Sequence, residues 1–312
     1  MQNKIVAIIG PTGIGKSNLA VQLSQYANFE IISADSRQIF KYLDIGTAKP
    51  TQEELDSLPH HFINFINPSE YYSAGLFAKD AFQAYKAIVS RGNFPLLVGG
   101  SGLYIKALID GFSSSEDSIN SDLEANINIR KDLESILIQY GRDFLHNELF
   151  KVDPTTAELY PDKNPRRIIR ALEYYYITGK LFSDTFNADI QSDFIPFYIG
   201  LNTNRDILYN IINDRVNKMW QMGLLDETQT VLNMGYSKEL NSLNTVGYKE
   251  TISYIESLIT EQQAIELIKQ NTRRYAKRQL TWFKAINNVN WFKTNELDVP
   301  TLAEEIKRFY NF

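Results

Sequence analysis

The chain has 312 residues, 44% hydrophobic and 12% aromatic, with 32 basic and 37 acidic side chains for a net charge of -5, which is ample for a large core and for two domains. It contains no cysteine and three histidines, so disulfides and thiolate metal sites are excluded and a histidine-based zinc site is disfavoured. No charged-then-apolar leader precedes the first strand and no apolar run approaches a membrane span, so the cytoplasm is the expected compartment, and a nucleic-acid partner would have to meet a local basic face.

Ile5-Val6-Ala7-Ile8-Ile9 is an unbroken apolar run that reads as a buried strand. It leads into Gly10-Pro11-Thr12-Gly13-Ile14-Gly15-Lys16-Ser17, which meets the phosphate-loop pattern G-x-x-x-x-G-K-[ST] at every fixed position, and Asn18 to Tyr26 then reads as a helix. Gly13 and Gly15 let backbone amides turn inward on an anion, Lys16 adds a full positive charge, and the Ser17 hydroxyl can reach a magnesium ion.

Glu30 to Ala34 reads as a second strand that delivers Asp35-Ser36-Arg37-Gln38 to the carboxyl end of the sheet, where open parallel sheets bind ligands. Asp35 reads equally as a site residue and as the cap of a helix over Gln38 to Tyr42. Lys41 to Asn67 is mostly loop, with a short strand expected at Phe62 to Ile66, and His60 and His61 read as structural rather than metal-binding. A helix is expected from Ser73 to Arg91, stopped by Gly92, and a third buried strand from Phe94 to Val98. That strand ends in Gly99-Gly100-Ser101-Gly102 instead of the aspartate usual at the strand tip of a nucleotide-hydrolysing protein. The bare backbone points to close approach by a ligand, or by the helix Leu103 to Ile109, and Ser101 offers a hydroxyl.

Ser113 to Ser118 is a polar linker. Beyond it Leu123, Ile127, Leu133, Leu137, Phe144, Leu145 and Leu149 recur at helical spacing, Asp153-Pro154 interrupts, and Pro165 opens a helix carrying Ile168, Ile169, Leu172 and Tyr176 beside Arg166, Arg167 and Arg170. Sheet character resumes at Phe194 to Leu201. The expected organisation is an α/β, phosphate-loop NTPase-like parallel-sheet core (1–112 and 194–312) with an all-helical insertion (113–193). In the helix expected over Arg205 to Met222, Arg215 is flanked at i-4 and i+4 by Ile211 and Met219, which sets a guanidinium beside the buried stripe. It either snorkels past the apolar residues or binds the same anion as Lys16. Lys269 to Lys284 carries six basic and no acidic side chains, interleaved with Tyr275, Trp282 and Phe283, which suits a surface that tracks a nucleic-acid backbone or a solvated basic face.

These segments together resemble the tRNA dimethylallyltransferases over nearly the whole chain. The resemblance rests on the phosphate loop, Asp35 to Gln38, Asp44 to Pro50, His60-His61, Tyr72-Ser73-Ala74, Gly99 to Tyr104, Asn164 to Arg167 with Arg170 to Glu173, Val246-Gly247-Tyr248, and Arg274 with Lys277 to Gln279 and Thr281-Trp282. It implies transfer of a dimethylallyl group from dimethylallyl diphosphate to N6 of adenosine 37 in the anticodon stem-loop of tRNA, by a monomer. It implies Asp35 as general base, Ser101 at the reaction centre, diphosphate on Gly10 to Ser17 and Arg215, and magnesium through Ser17. It implies tRNA contacts from Asp35, Ser36, Arg37, Gln38 and Ser101, from Arg166, Arg167, Ile168, Ile169 and Arg170, from Asn244, Thr245, Val246, Gly247, Tyr248 and Lys249, and from Arg273, Arg274, Lys277, Arg278, Gln279, Trp282 and Lys284. The chain departs from the family in having Ser101 for a commoner threonine, Phe40 for tyrosine and Asn64 for aspartate, and no arginine near Glu124. The competing readings are a small-molecule phosphate-loop kinase, a transferase acting on free adenylate, and an RNA-binding module with a relic loop.

Overall fold

Every strand among the described residues lies in one parallel sheet, in the spatial order β3 (His60–His61), β2 (Phe29–Ala34), β4 (Phe94–Gly99), β1 (Asn3–Ile9), β5 (Phe194–Asn202), β6 (Val289–Lys293). The computed structural model describes residues 3–111, 123–187 and 194–311. From Ile5 to Ile9 β1 is an uninterrupted apolar run because this part is central and covered on both faces. Its Val6 and Ile8 share a core with α1 (Lys16–Leu23) and α12 (Val299–Tyr310), and pleating sends Ile5, Ala7 and Ile9 to the opposite face.

The chain divides into two compact units: Met1–Ile109 with Asp193–Phe312, and Asp110–Ser192. The first unit holds the sheet, with α2 (Gln52–Ser57), α3 (Ala74–Ser90) and α4 (Gly102–Ile109), and after β5 the helices α8 (Arg205–Gln221), α9 (Leu224–Asn233), α10 (Tyr248–Ile255) and α11 (Glu261–Lys284). Among the described residues no helix is long and apolar enough to cross a membrane.

The second unit is built from α5 (Leu123–Val152), which departs from helical geometry at Gly141, α6 (Pro154–Glu158) and α7 (Pro165–Thr178). Leu133, Leu145, Leu149, Ile168 and Leu172 form its core. Asp153 caps α6, accepting from the Thr156 amide at 3.1 Å, and Asn164 caps α7. Buried Glu173 accepts a bidentate pair from Arg130 at 3.0 and 2.9 Å, and Arg170 reaches the same carboxylate at 3.4 Å. Tyr176, expected on the inner face of α7, is exposed, and Tyr174 is buried in its stead. The Ser113 to Ser118 linker, and the side chains of Leu123, Glu124 and Ile127, lie outside the described residues.

Two expected elements are replaced. Gln38 to Tyr42 is a series of turns and not a helix, because Phe40 bridges to Ile66 and the Lys41 amide donates to the Ile66 carbonyl at 2.8 Å. The strand expected at Phe62 to Ile66 is not formed, because Phe62 and Asn64 adopt positive φ (69° and 51°) that no extended strand admits, and β3 is instead the preceding pair His60–His61. His61 bonds Glu30 at 2.8 Å and His60 bonds the Leu58 carbonyl at 2.6 Å. Burial alone would raise the Glu30 carboxyl, but hydrogen bonds from Arg91, Asn93 and His61 outweigh it and hold it down to about 2.

Candidate active site

The phosphate loop leaves the tip of β1 and opens α1, with Gly13 and Gly15 at φ 81° and 95°. Thr12, Gly13, Gly15, Lys16 and Ser17 line a cavity of about 280 Å³ together with Asp35, Gln38, Gly99 and Arg215. Of the eight loop positions, Ile14 turns its side chain into the core. Pro11 has no amide to donate. The Thr12 amide is already bonded to Gln279 Oε1 at 2.9 Å.

Lys16 folds its ammonium onto the Gly10 and Pro11 carbonyls at 3.0 and 2.9 Å, leaving its third proton for a ligand. Burial holds the Lys16 pKa down to about 8, with the Asp35 carboxylate opposing and Arg215 adding to the shift. Burial likewise lowers Arg215, again against Asp35. Two cations and one carboxylate thus share each other's fields.

That coupling has a measurable consequence. Lys16 loses its charge as pH rises past about 8 in the free protein, whereas a bound anion stabilises the charged form. Inorganic diphosphate should therefore bind on the order of tenfold more weakly at pH 9.5 than at pH 7.5, relative to Lys16→Arg, whose charge persists throughout. Equal pH slopes in calorimetry of the two proteins would show that Lys16 does not titrate in this range.

Asp35 follows β2 and accepts the Arg37 amide at 2.8 Å and the Gln38 amide at 3.4 Å, both on Oδ1, so it caps a turn rather than a helix. Next to it, the Ser36 amide donates to Ser101 Oγ at 2.9 Å, and the two serine hydroxyls are 3.2 Å apart. The Tyr275 phenol shares a hydrogen bond with Ser101 and is raised to about 12 by burial and by Asp35. Arg37 donates to the Asn241 carbonyl at 2.7 Å.

The glycines flanking Ser101 admit protein neighbours from segments other than α4, and Gly99 also lines the cavity. A Cβ at Gly99 would fall 2.1 Å from the Ala34 carbonyl oxygen of the adjacent strand, one at Gly100 would fall 2.2 Å from Gln279 Nε2, and one at Gly102 would fall 2.3 Å from the Trp282 indole. The last two neighbours both come from α11.

Several residues expected to touch RNA are turned inward. Ile168 and Ile169 belong to the core of the second unit, which leaves exposed Arg166 and Arg167 as the outward groups on that turn. Tyr248 is 0% exposed and Gly247 is buried, whereas Asn244 and Lys249 face solvent, with Thr245 and Val246 between these extremes. Gln279 is 6% exposed with its amide spent on the backbone. Arg273 points at α8, donating to Asn213 at 2.5 Å and lying over the Tyr209 ring. Arg274, Lys277, Arg278 and Lys284 are exposed on α11, and Trp282 is 43% exposed.

Glu227 escaped the sequence reading. Its carboxylate accepts the amides of Asp44, Ile45 and Gly46 at 2.9, 2.8 and 3.2 Å and the Tyr248 hydroxyl at 2.6 Å, tying two motifs together. The signal that could have found it is the one that marks Arg215: a charge three residues after Leu224 and four before Val231, beside a buried stripe. A second cavity, of about 700 Å³ and lined by Asp44, Lys49, Met219 and Met222, shares Ala48, Pro50 and Arg215 with the first.

The family model described as IPP transferase matches residues 38–286. The chain belongs to the IPP transferase family. Relatives of this family include the tRNA dimethylallyltransferase of Carboxydothermus hydrogenoformans, 42% identical over 98% of this chain and 97% of that protein, and that of Halalkalibacterium halodurans, 40% identical over 99% and 97%. Among solved IPP transferase structures, the full-length tRNA isopentenylpyrophosphate transferase of Bacillus halodurans superposes with a TM-score of 0.71 at 40% identity, over 99% of this chain and 96% of that one. A eukaryotic dimethylallyltransferase acting on tRNA gives a TM-score of 0.82 at 30% identity, over 99% and 80%.

Proposed function

We propose that the protein transfers the dimethylallyl group of dimethylallyl diphosphate to N6 of adenosine 37, beside the anticodon of tRNA, releasing diphosphate. The observation that carries this reading is a cavity lined together by the phosphate loop, Lys16, Arg215 and Asp35. The allylic carbon–oxygen bond breaks as the carbon–nitrogen bond forms. Lys16, Arg215 and the loop amides stabilise the negative charge that grows on the departing diphosphate. The exocyclic amine is a poor nucleophile whose proton becomes acidic only as the new bond forms, so Asp35 serves best as a base within the transition state. The adenine leaves the anticodon stack to reach it.

Ser17 lies on the cavity wall, and among the described residues no group of three or more His, Asp or Glu side chains assembles to hold a metal. A hydroxyl oxygen suits a hard cation, so Ser17 would hold a magnesium ion, which would supply charge to neutralise the leaving group. The protein works as a monomer in the cytoplasm, with tRNA contacts from Arg166 and Arg167 in the helical unit and from the outer face of α11 in the sheet unit. The deciding experiment incubates the protein with labelled dimethylallyl diphosphate, magnesium, and either an unmodified anticodon stem-loop, AMP or ATP. Label enters the RNA adenosine. Labelled AMP with unlabelled RNA would establish the adenylate transferase instead, and a phosphorylated small molecule in the ATP arm a kinase.

RNA binding by this face is strongly salt-dependent. Contact with about six phosphates lowers affinity on the order of a thousandfold between 50 and 200 mM salt. Lys277→Glu with Arg278→Glu should flatten the log–log slope by about two, since both side chains are exposed. Arg273 is unsuited to this test, being engaged with α8. An unchanged slope in the double variant removes α11 from the interface.

A further inference from the structure

Gln279 joins two segments that lie far from it in the chain. It accepts the Thr12 amide of the phosphate loop at 2.9 Å and donates to the Gly100 carbonyl at the tip of β4, also at 2.9 Å. The side chain is buried, so an apolar residue of the same shape would leave both backbone groups without a partner. Gly100 has no side chain at the spot where Gln279 Nε2 sits. One helical turn earlier Tyr275 bonds Ser101, and one turn later Trp282 covers Gly102. The inner face of α11 therefore holds the strand tip on both sides of Ser101, and Gln279 alone of these residues also holds the loop.

We propose that Gln279 is a positioning residue for prenyl transfer. It fixes the distance between the phosphate loop, which carries the leaving diphosphate, and the β4 tip, whose Ser101 stands beside Asp35. The proposal rests on the prenyl-transfer reading. Its physical basis is that allylic carbon and attacking amine react only in near-attack geometry, where a displacement of about 1 Å costs on the order of a hundredfold in rate. The loop would still hold diphosphate with Gln279 gone, because Lys16 and Arg215 remain, so the loss falls on turnover and not on substrate affinity.

The test compares Gln279→Met, which loses both bonds at similar length, with Gln279→Glu, which accepts from Thr12 but cannot donate to Gly100. In Gln279→Met, kcat for prenyl transfer falls roughly thirtyfold to a hundredfold while KM for dimethylallyl diphosphate stays within about threefold. In Gln279→Glu, kcat falls less. Hydrogen exchange at the Thr12 amide is slow in the native protein and in Gln279→Glu, and at least about tenfold faster in Gln279→Met. Native kcat in Gln279→Met, even with a lowered melting midpoint, would assign the residue to helix docking alone and overturn the proposal. So would equal Thr12 exchange in all three proteins, a readout that needs no activity. Absence of prenyl transfer by the native protein would instead overturn the functional reading, with Thr12 exchange still reporting on Gln279.

Discussion

Asp35→Asn lowers single-turnover prenyl transfer by about a hundredfold or more, while the melting midpoint and diphosphate affinity stay near native. The geometry separates the two roles of this side chain. Its Oδ1 accepts the Arg37 and Gln38 amides, and an asparagine oxygen makes the same turn-capping bonds about as well. What asparagine lacks is a group that takes a proton from the exocyclic amine. In the proposed reading diphosphate affinity rests on Lys16 and Arg215, and removing the carboxylate deprives both cations of a nearby counter-charge. Diphosphate should therefore bind as well or slightly better, which gives the variant a signature that a misfolded protein would not show. Near-normal turnover with an unchanged melt would mean that the amine passes its proton to water or to the departing diphosphate.

The sheet and the phosphate loop are legible in the sequence because a buried parallel strand is an unbroken apolar run and the loop pattern is rigidly spaced. The neighbourhood of Asp35 and the loop is legible for a topological reason: parallel strands deliver their carboxyl ends to one edge, whatever lies between them. The segment after Asp35 is not legible, since Gln38 to Tyr42 reads as a helix but the Arg37 and Gln38 amides are taken by the Asp35 side chain and the Lys41 amide by the Ile66 carbonyl. The glycines around Ser101 show the other limit. Their pattern announces close approach, yet the approaching group comes from Gln279 and Trp282, about 180 residues later, and no local rule identifies it.

The basic run on α11 is ambiguous for a related reason. Charge count places cations on the helix but not on which side of it, and burial of Ala276, Gln279 and Phe283 turns Arg273 toward α8 while leaving Arg274, Lys277 and Arg278 outside. The same holds for Ile168 and Ile169 between exposed arginines on α7: the motif that marks the family interleaves core residues with surface ones, and helical period alone sorts them.

Glu227→Ala is the substitution expected to cost most in stability. The carboxylate accepts three consecutive amides of the Asp44-Ile45-Gly46 turn and the hydroxyl of Tyr248, which is wholly buried. Burial, reinforced by the Glu227 charge, keeps the Tyr248 phenol far above its ordinary range, so it donates to Glu227 at any working pH. Hydrogen bonds to a charged acceptor contribute about 1.5–3 kcal/mol each when intact, and buried donors left unpaired add their own desolvation penalty. Allowing water to reach the exposed side of the turn, Glu227→Ala should cost about 3 kcal/mol. Tyr248→Phe, which deletes one donor and keeps the ring, should cost about 1 kcal/mol, and Glu227→Gln an intermediate amount. Ala48 and Pro50 come just after this turn and line the cavity that holds the phosphate loop, so diphosphate affinity should fall several-fold in the alanine variant and little in Tyr248→Phe. Urea unfolding with calorimetric titration of diphosphate measures both effects. Stability within about 1 kcal/mol of native in Glu227→Ala would show that the turn keeps its shape with water in place of the carboxylate, and that Glu227 is not what joins the Asp44 to Pro50 segment to Tyr248.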